Sequence, residues 1–382
     1  RNKRNMRSLG EALGGKEKMC HIKILSSTTT LTDEGYTMSA VSSFNDEGRS
    51  RRPLLLASAG QKTPSLYMVV AMAQSFAWFF GLPILCKPLW GQLFHDRSPN
   101  ESELILNLAT ILGTFAIYMA VIFPIYWLEI PFFEQYKIDP DHPWPWKKQQ
   151  NTTNSGSSSI SQSEQENEAA RKLFWAMTKK SVQLMAINQC LLIPLLTHMK
   201  HVMFPTSAPS FDVVEDWPSY WEMLTDNGSM CLLHELGFYL SHRMMHSHKY
   251  LYQFHKVHHE YKQNNVMAAQ HNHPIDYILT IVGPALLSTV IVNPHSVTQF
   301  QFAVWILVTN LDDHCGYSFP WSPVRWFPFA SLTEQHEFHH AINMGCFASK
   351  LNIYDKIFDS ETTYLKWSKK RDAKSSHPAK EE

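Results

Sequence analysis

Apolar residues are gathered into long blocks separated by very polar stretches. The blocks are, in order, Leu66–Leu85, Leu104–Leu128, Ser181–His198, Ser219–Leu240, Ile275–Val292 and Phe300–Leu311. The first two are each about as long as a membrane-spanning helix and are joined by a short polar loop, so they predict a helical hairpin. The third is another candidate span and the fourth a weaker one. The last two are short for full spans, which favours re-entrant or interfacial helices.

The polar stretches divide the rest of the chain. Residues 1–62 are rich in Ser, Thr, Gly and charge and are predicted to be disordered. They hold eleven Lys or Arg against six Asp or Glu, which places this end in the cytosol by the positive-inside tendency. Residues 149–169 predict a low-complexity polar loop inserted in a membrane domain that covers 63–370, and residues 371–382 a polar tail. The fold class predicted is all-α, with about four membrane spans.

Composition excludes several classes of protein. Lys plus Arg and Asp plus Glu number 34 each, so no global basic field indicates nucleic-acid binding. The six cysteines form no CxxC pair, which argues against a zinc finger and a disulfide framework. The unusual residue is histidine, with 20 in the chain, of which fourteen lie between His234 and His340.

Three histidine boxes carry the candidate chemistry. They are His242-Arg-Met-Met-His246, His255-Lys-Val-His258-His259 and His336-Glu-Phe-His339-His340. Residues three and four apart share one face of a helix, so each box directs two or three imidazoles to one point. Eight neutral imidazoles exceed what one ion needs and suit two neighbouring transition-metal ions. A structural zinc site closes with four ligands, so the surplus favours catalysis.

Two more histidines fit the same centre. His273 precedes the last apolar pair and His314 follows it, so a hairpin would return both to the surface that carries the boxes. Glu235 lies seven residues before His242 on the same helical face. Its carboxylate and that of Asp312 are predicted to accept the second ring N–H of a ligand histidine.

At this point the chain resembles a known family. The segments HRMMH, FHKVHHEY, HNHPIDY, DDHCGYSFPWS and EQHEFHH are similar to the sterol desaturase and fatty acid hydroxylase superfamily over roughly Leu104–Phe358. Within it, the motifs look most similar to methylsterol C-4 monooxygenases, followed by cholesterol 25-hydroxylases. Because both groups share these motifs, the motifs identify the superfamily but do not identify the substrate.

The resemblance implies an endoplasmic reticulum enzyme whose helical membrane base carries a cytosolic cap with two irons, which zinc can replace on purification. One metal would be held by His242, His255, His258, His336 and His339, and the other by His246, His259, His273, His314 and His340. The activity implied is O2-dependent hydroxylation of a sterol, at a C-4 methyl group. Electrons would come from a membrane cytochrome of b type and its NAD(P)H reductase.

Alternatives remain open at the level of sequence. The same centre serves a side-chain sterol hydroxylase, a fatty acyl or alkyl lipid hydroxylase, or a desaturase, and no single residue separates them. A metal-binding membrane protein without turnover is an alternative from another class. Transporters place such ligands in the middle of a span, whereas these boxes lie at the ends of apolar segments.

Overall fold

The computed structural model describes residues 65–140, 143–147, 162–261, 263–327 and 329–376. Within these ranges the regular structure is helical, and strand-like pairing is limited to the isolated bridges Lys137–Tyr317 and Ala330–Leu351. The all-α prediction is confirmed. Residues 1–62, predicted to be disordered, lie outside the described residues.

Fourteen helices follow one another along the described chain. They are α1 Ser65–Phe76, α2 Leu82–Phe94, α3 Pro99–Leu128, α4 Pro131–Glu134, α5 Gln162–Ile187, α6 Ile193–Met203, α7 Tyr220–Ser247, α8 Lys249–His255, α9 Pro274–Asp276, α10 Gly283–Val292, α11 Ser296–Asp313, α12 Thr333–Ile342, α13 Ile353–Ile357 and α14 Thr362–Ser376. Short 3-10 turns at His258–Glu260 and Pro323–Trp326 connect some of them.

Four helical stretches are long and apolar enough to cross a membrane. They are Leu66–Phe94, Pro99–Leu128, Asn167–Met203 and Pro274–Val292. Each turns large apolar side chains outward, for example Leu85, Ile117, Leu191 and Ile291, which are 57–71% exposed. A soluble protein rarely exposes so much contiguous apolar surface, so these faces fit contact with lipid. The prediction of about four spans is confirmed.

The fourth span is not the one predicted from the sequence. Ser219–Leu240 begins at the N-cap of α7, whose acidic residues Glu222, Asp226 and Glu235 make it more polar than the four stretches above. Pro274–Val292, predicted to be short, has 19 residues. At a rise of 1.5 Å per residue it is about 28 Å long, close to the thickness of the hydrocarbon core.

The last part of the polar loop predicted at 149–169 is helical. Helix α5 begins at Gln162, so 162–169 are helical. Glutamates are common in this first part of α5, and negative charge near a helix N-terminus is stabilising. Residues 148–161 lie outside the described part of the chain.

Three of the four spans contain a wide π-helical turn. The turns are Ala77–Gly81, Asn188–Leu192 and Tyr277–Val282, and each is followed by a proline, Pro83, Pro194 or Pro284. A proline ring clashes with the carbonyl four residues earlier. In all three cases that carbonyl lies inside the wide turn, which makes room for the ring without ending the helix.

A buried ion pair joins three helices at the end of the bundle where the connections are short. The Lys200 ammonium lies 2.6 Å from a carboxylate oxygen of Glu103, and the Gln299 amide donates to the same oxygen at 2.9 Å. His201 Nε2 lies 2.7 Å from the other oxygen. These contacts tie α3, α6 and α11 together. At the same end, His295 in the turn before α11 contacts the carbonyl of Asp212.

Candidate metal centre

The three boxes come together at the opposite end of the bundle. His242 and His246 occupy the last turns of α7, His255 ends α8, and His258 and His259 lie in the 3-10 turn that follows. The third box lies on α12, and His314 directly follows α11. Backbone segments distant in sequence thus direct their imidazoles into one buried region.

Nine of these histidines form two groups. Five, His242, His246, His255, His259 and His339, have ligand atoms within 4.8 Å of one another. The other four are His258, His314, His336 and His340, within the same limit. The groups adjoin, because the rings of His259 and His340 have centroids 4.6 Å apart.

The two groups divide the boxes differently from the arrangement implied by resemblance. His258 and His259 are consecutive, so their side chains diverge by about 100° and enter different groups. On α12, His336 and His340 are four residues apart and share a group, while His339 turns to the other. His246 joins His242 rather than the opposite set, as expected for two residues one helical turn apart.

Hydrogen bonds fix the tautomers of four histidines. Nδ1–H of His242, His339 and His314 donates to the carbonyls of Phe347, Gly345 and Asn310 at 2.7–2.8 Å. Nδ1–H of His255 donates to the carboxylate of Asp276 at 2.9 Å. A neutral imidazole carries one N–H, so Nε2 of each presents a lone pair. The Nε2 atoms of His242 and His255 face each other at 3.1 Å, an arrangement that a cation between them stabilises.

Nitrogen separations across the groups match metal coordination. Six pairs of Nε2 atoms lie 2.9–3.3 Å apart. With metal–nitrogen bonds of about 2.1 Å, two ligands at a right angle are about 3.0 Å apart, and two at a tetrahedral angle about 3.4 Å. Nε2 of His339 is buried without a hydrogen-bond partner in the described protein, as expected for a metal ligand. The residues therefore fit two metal ions, with angles close to those of five- or six-coordinate sites.

The environment keeps these imidazoles neutral. Burial, followed by the neighbouring imidazoles, holds the pKa of His242, His258 and His339 well below the usual range. Burial lowers the pKa of His314 to about 3. Neutral imidazole is the form that binds metal, so the site presents ligands across the physiological pH range.

His273 is the predicted ligand that lies outside both groups. Its Nδ1 accepts from the N–H of Ile275, so the side chain caps the start of α9, and its ring contacts Phe254. A proline follows His273 and starts the helix, which directs the imidazole to the cap. The structure therefore brings together nine of the ten predicted ligands.

Glu235 does not contact a ligand histidine. Its carboxylate accepts from the N–H groups of Lys350 and Leu351 at 3.1–3.2 Å. The same loop, 345–351, contains the carbonyls of Gly345 and Phe347 that orient His339 and His242. Glu235 thus acts on the ligands through the backbone. Its prediction as a direct partner was wrong, because the loop comes between.

Asp355 supports this loop from the other side, and sequence reasoning missed it. Its carboxylate accepts from the N–H groups of Phe347 and Ala348, both at 2.9 Å. Gly345 has a positive φ of 71°, and a Cβ there would lie 2.5 Å from the carbonyl oxygen of Ser360. The tight turn therefore needs glycine at this position.

Asp312 also lies away from the ligands. Its carboxylate accepts from the hydroxyl of Ser322 at 2.7 Å and lies 3.4 Å from the hydroxyl of Tyr118. The acid that does contact a ligand is Asp276, which sequence reasoning missed. The only available signal was its position three residues after His273, in a segment read as the start of an apolar helix.

Comparisons with known proteins agree with this site. Residues 228–360 match the family model described as fatty acid hydroxylase. Methylsterol monooxygenase 1 of Danio rerio is 25% identical over 240 residues, which cover 62% of this chain and 71% of that protein. Methylsterol monooxygenase 2-2 of Arabidopsis thaliana is 32% identical over 155 residues, 38% of this chain and 56% of that protein.

Several of these matches cover only part of the matched protein. Methylsterol monooxygenase 1 of Rattus norvegicus is 27% identical over 164 residues, 42% of this chain and 55% of that protein. The chain spans about half the length of most curated relatives that it matches. No solved structure matches the chain. The matched segment contains all ten predicted metal ligands. The resemblance predicted from the histidine motifs is therefore confirmed: residues 228–360 match the fatty acid hydroxylase family model, and the chain is similar to methylsterol monooxygenases.

Proposed function

We propose that the chain is a membrane oxygenase that hydroxylates a sterol at a C-4 methyl group, using two iron ions and O2. The observation that carries the proposal is the pair of adjoining imidazole groups, five and four in number, with Nε2 lone pairs directed inward. The similarity to methylsterol monooxygenases supports the substrate class.

Each part of the chain has a separate task. The bound irons would supply O2 activation and the oxidising power needed to cleave a C–H bond. The carbonyls of Phe347, Gly345 and Asn310 and the carboxylate of Asp276 hold four imidazoles in the metal-binding tautomer. Burial of the ligands excludes bulk water from the centre. Apolar walls between the spans receive the lipid.

The group of four supports a reactive site. Its members His258, His314, His336 and His340 leave coordination positions open if the metal prefers five or six ligands. Open positions are what O2 and substrate require, whereas a structural zinc site closes with four ligands. Iron is proposed over zinc because the reaction is an oxidation and zinc has no redox chemistry.

The reaction needs electrons from outside the chain. Insertion of one oxygen atom of O2 into a C–H bond releases the other as water and consumes two electrons and two protons. We propose a membrane cytochrome of b type and its NAD(P)H reductase as the donors. The proposed location is the endoplasmic reticulum membrane with the histidine boxes toward the cytosol. The basic balance of residues 1–62 supports a cytosolic N-terminus. After the third span, α7 runs from the end that holds Trp217 and His295 to the end that holds His246, which returns the chain to that side.

The deciding experiment joins metal content with product analysis. The purified chain is assayed for iron and zinc, then supplied with reductant, O2 and either a 4-methylsterol or cholesterol. We expect about two irons per chain and a 4-hydroxymethyl sterol, with His258→Ala as the inactive control. A side-chain hydroxysterol would instead indicate a cholesterol 25-hydroxylase-like activity. Product only from acyl or alkyl lipids would indicate another lipid hydroxylase or a desaturase. No iron after reconstitution and no product from any lipid would indicate a metal-binding protein without turnover.

A further inference from the structure

A cavity of about 400 Å³ lies between α1, α3, α11 and the loop before Pro323. Its volume is in the range of small-molecule sites. Val121 lines it and is 64% exposed on α3, so the cavity opens toward the surrounding lipid. A second cavity, between α3, α6, α10 and α11, has about 110 Å³ and is too small for such a ligand.

The walls of the larger cavity suit a rigid apolar body. Trp78 and Trp305 contact each other at 5.4 Å between ring centroids, and Phe319 and Trp321 stack at 5.0 Å. Along α11 the lining runs from Val304 to Asp312, a rise of about 12 Å. Broad aromatic faces over this length fit a fused-ring lipid.

The polar groups of the cavity include a cluster at one end. Asp312 contacts the hydroxyls of Ser322 and Tyr118 there, and Oδ1 is only weakly engaged at 3.4 Å from Tyr118. A carboxylate accepts several hydrogen bonds, so Oδ1 has capacity for another hydroxyl. Asp312 precedes His314 by two residues near the same end of α11, but the two side chains leave the helix about 200° apart, and no histidine of either group lines the cavity.

We infer that this cavity binds a sterol with its hydroxyl at Asp312 and its ring system along α11. The inference rests on the proposed function only for the identity of the ligand. A lipid held this way has its hydroxyl at the metal-bearing end of the bundle and its apolar tail away from it. Asp312 is then a positioning residue, which fixes the orientation of the sterol in the cavity by holding its hydroxyl.

Binding to the full-length, metal-loaded chain in detergent tests this without turnover. The probes are a radiolabelled 4-methylsterol and its 3-O-methyl ether, which lacks the hydroxyl hydrogen. We expect the native chain to bind the sterol at least about tenfold more tightly, as a hydrogen bond to a charged group provides. In Asp312→Ala the two affinities should come within about twofold, and Asp312→Asn provides a second, more conservative variant.

Placing a larger side chain in each cavity in turn shows which of the two binds the sterol. Val308→Phe should weaken both probes by about tenfold, and the matched change Ile281→Phe in the smaller cavity should change neither. Metal content verifies the fold of each variant. Preserved discrimination in both Asp312 variants, or unchanged binding in Val308→Phe, would overturn the inference. If this binding pattern appears but no sterol is oxidised, the cavity stands and the proposed activity fails. If sterol is oxidised while the variants change neither binding nor product, the activity stands and the cavity assignment fails.

Discussion

The Nδ1–H of His255 donates to the carboxylate of Asp276 at 2.9 Å, in a site where both side chains are buried. Asp276 ends α9 at the start of the fourth span, whereas His255 ends α8. The contact therefore connects the fourth span directly to the candidate metal ligands. It also sets the tautomer of His255 so that Nε2 faces His242 and His259.

Replacing Asp276 should weaken metal binding without removing a ligand. Loss of such a partner typically costs 10–100-fold in metal affinity or activity. We expect Asp276→Ala to hold less iron per chain at limiting iron, measured by metal analysis after equilibrium dialysis. Thr280→Val is the matched control, because the Thr280 hydroxyl also bonds Asp276 but contacts no imidazole. Equal iron content in Asp276→Ala and the native chain would contradict this role.

Removing a ligand from either group should abolish turnover. His339→Ala affects the group of five and His258→Ala the group of four, and each variant should still insert in the membrane. Activity should fall to background, with metal per chain reduced, as measured by product formation and elemental analysis. His295→Ala is the control at the opposite end of the bundle, where it caps α11 and should cost about 1 kcal/mol of stability. Full activity in either ligand variant would contradict the two-metal assignment.

The sequence predicts His273 to be a metal ligand, whereas the structure places it as a helix cap. As the cap of α9, its replacement by alanine should cost about 1 kcal/mol of stability and leave the metal content unchanged. As a ligand, the same change would lower the metal content as far as His258→Ala does. Metal analysis of the two variants side by side decides between these roles.

Much of the site could be predicted because helical spacing is a local property. The i, i+4 pair His242–His246 lies on one face of α7, as its spacing requires, and both residues join one group. Spacing also separates His258 from His259 and pairs His336 with His340, but which box meets which depends on how distant segments of the chain fold together. Asp276 and Asp355 were missed for the same reason, because their partners lie 21 and 8 residues away and are brought close only by the fold.

The spans show where the hydropathy pattern is ambiguous. From the sequence, Ser219–Leu240 is the weaker fourth candidate span and Ile275–Val292 is short for a full span. In the structure α7 has 28 residues and the helical stretch Pro274–Val292 has 19. The acidic residues of α7, rather than its apolar ones, distinguish it from the four apolar stretches. Glu235 is fully buried because it binds the backbone of the loop at 350–351, an interaction that no local pattern reports.

Acidification should destabilise the metal-free protein. An unfolded histidine has a pKa near 6.5, whereas burial lowers the pKa of His314 in the folded chain to about 3. Between these values the unfolded state binds the proton and the folded state does not, so stability falls as the pH falls, by about 1.4 kcal/mol per pH unit for one such group. Thermal unfolding of stripped protein in detergent at pH 7.5 and 5.5 measures this. His314→Asn should reduce the pH dependence, and a midpoint that rises on acidification would contradict the assignment.

Breaking the buried ion pair should destabilise the bundle far from the metals. Lys200→Met leaves the buried Glu103 carboxylate without its ammonium partner, with His201 and Gln299 as its remaining contacts, and removing one partner of a buried pair typically costs 3–5 kcal/mol. The double variant with Glu103→Leu should recover much of that stability, because no unpaired charge remains. Thermal midpoints of the single and double variants give the coupling between the two residues. A single variant as stable as the native chain would show that the pair contributes little.

The wide turns ahead of Pro83, Pro194 and Pro284 have a mechanical consequence. A straight span transmits displacement of one end to the other as a stiff rod, whereas a span interrupted by a wide turn behaves as two rods with a compliant joint. Each of these three spans can therefore bend at its wide turn, because π-bulges and prolines are where helices kink. In the third span, Lys200 lies beyond the wide turn and is held by Glu103 of α3, so that segment is anchored at the ion-pair end. The third span thus joins a segment fixed by a buried ion pair to a segment that can change direction at the wide turn.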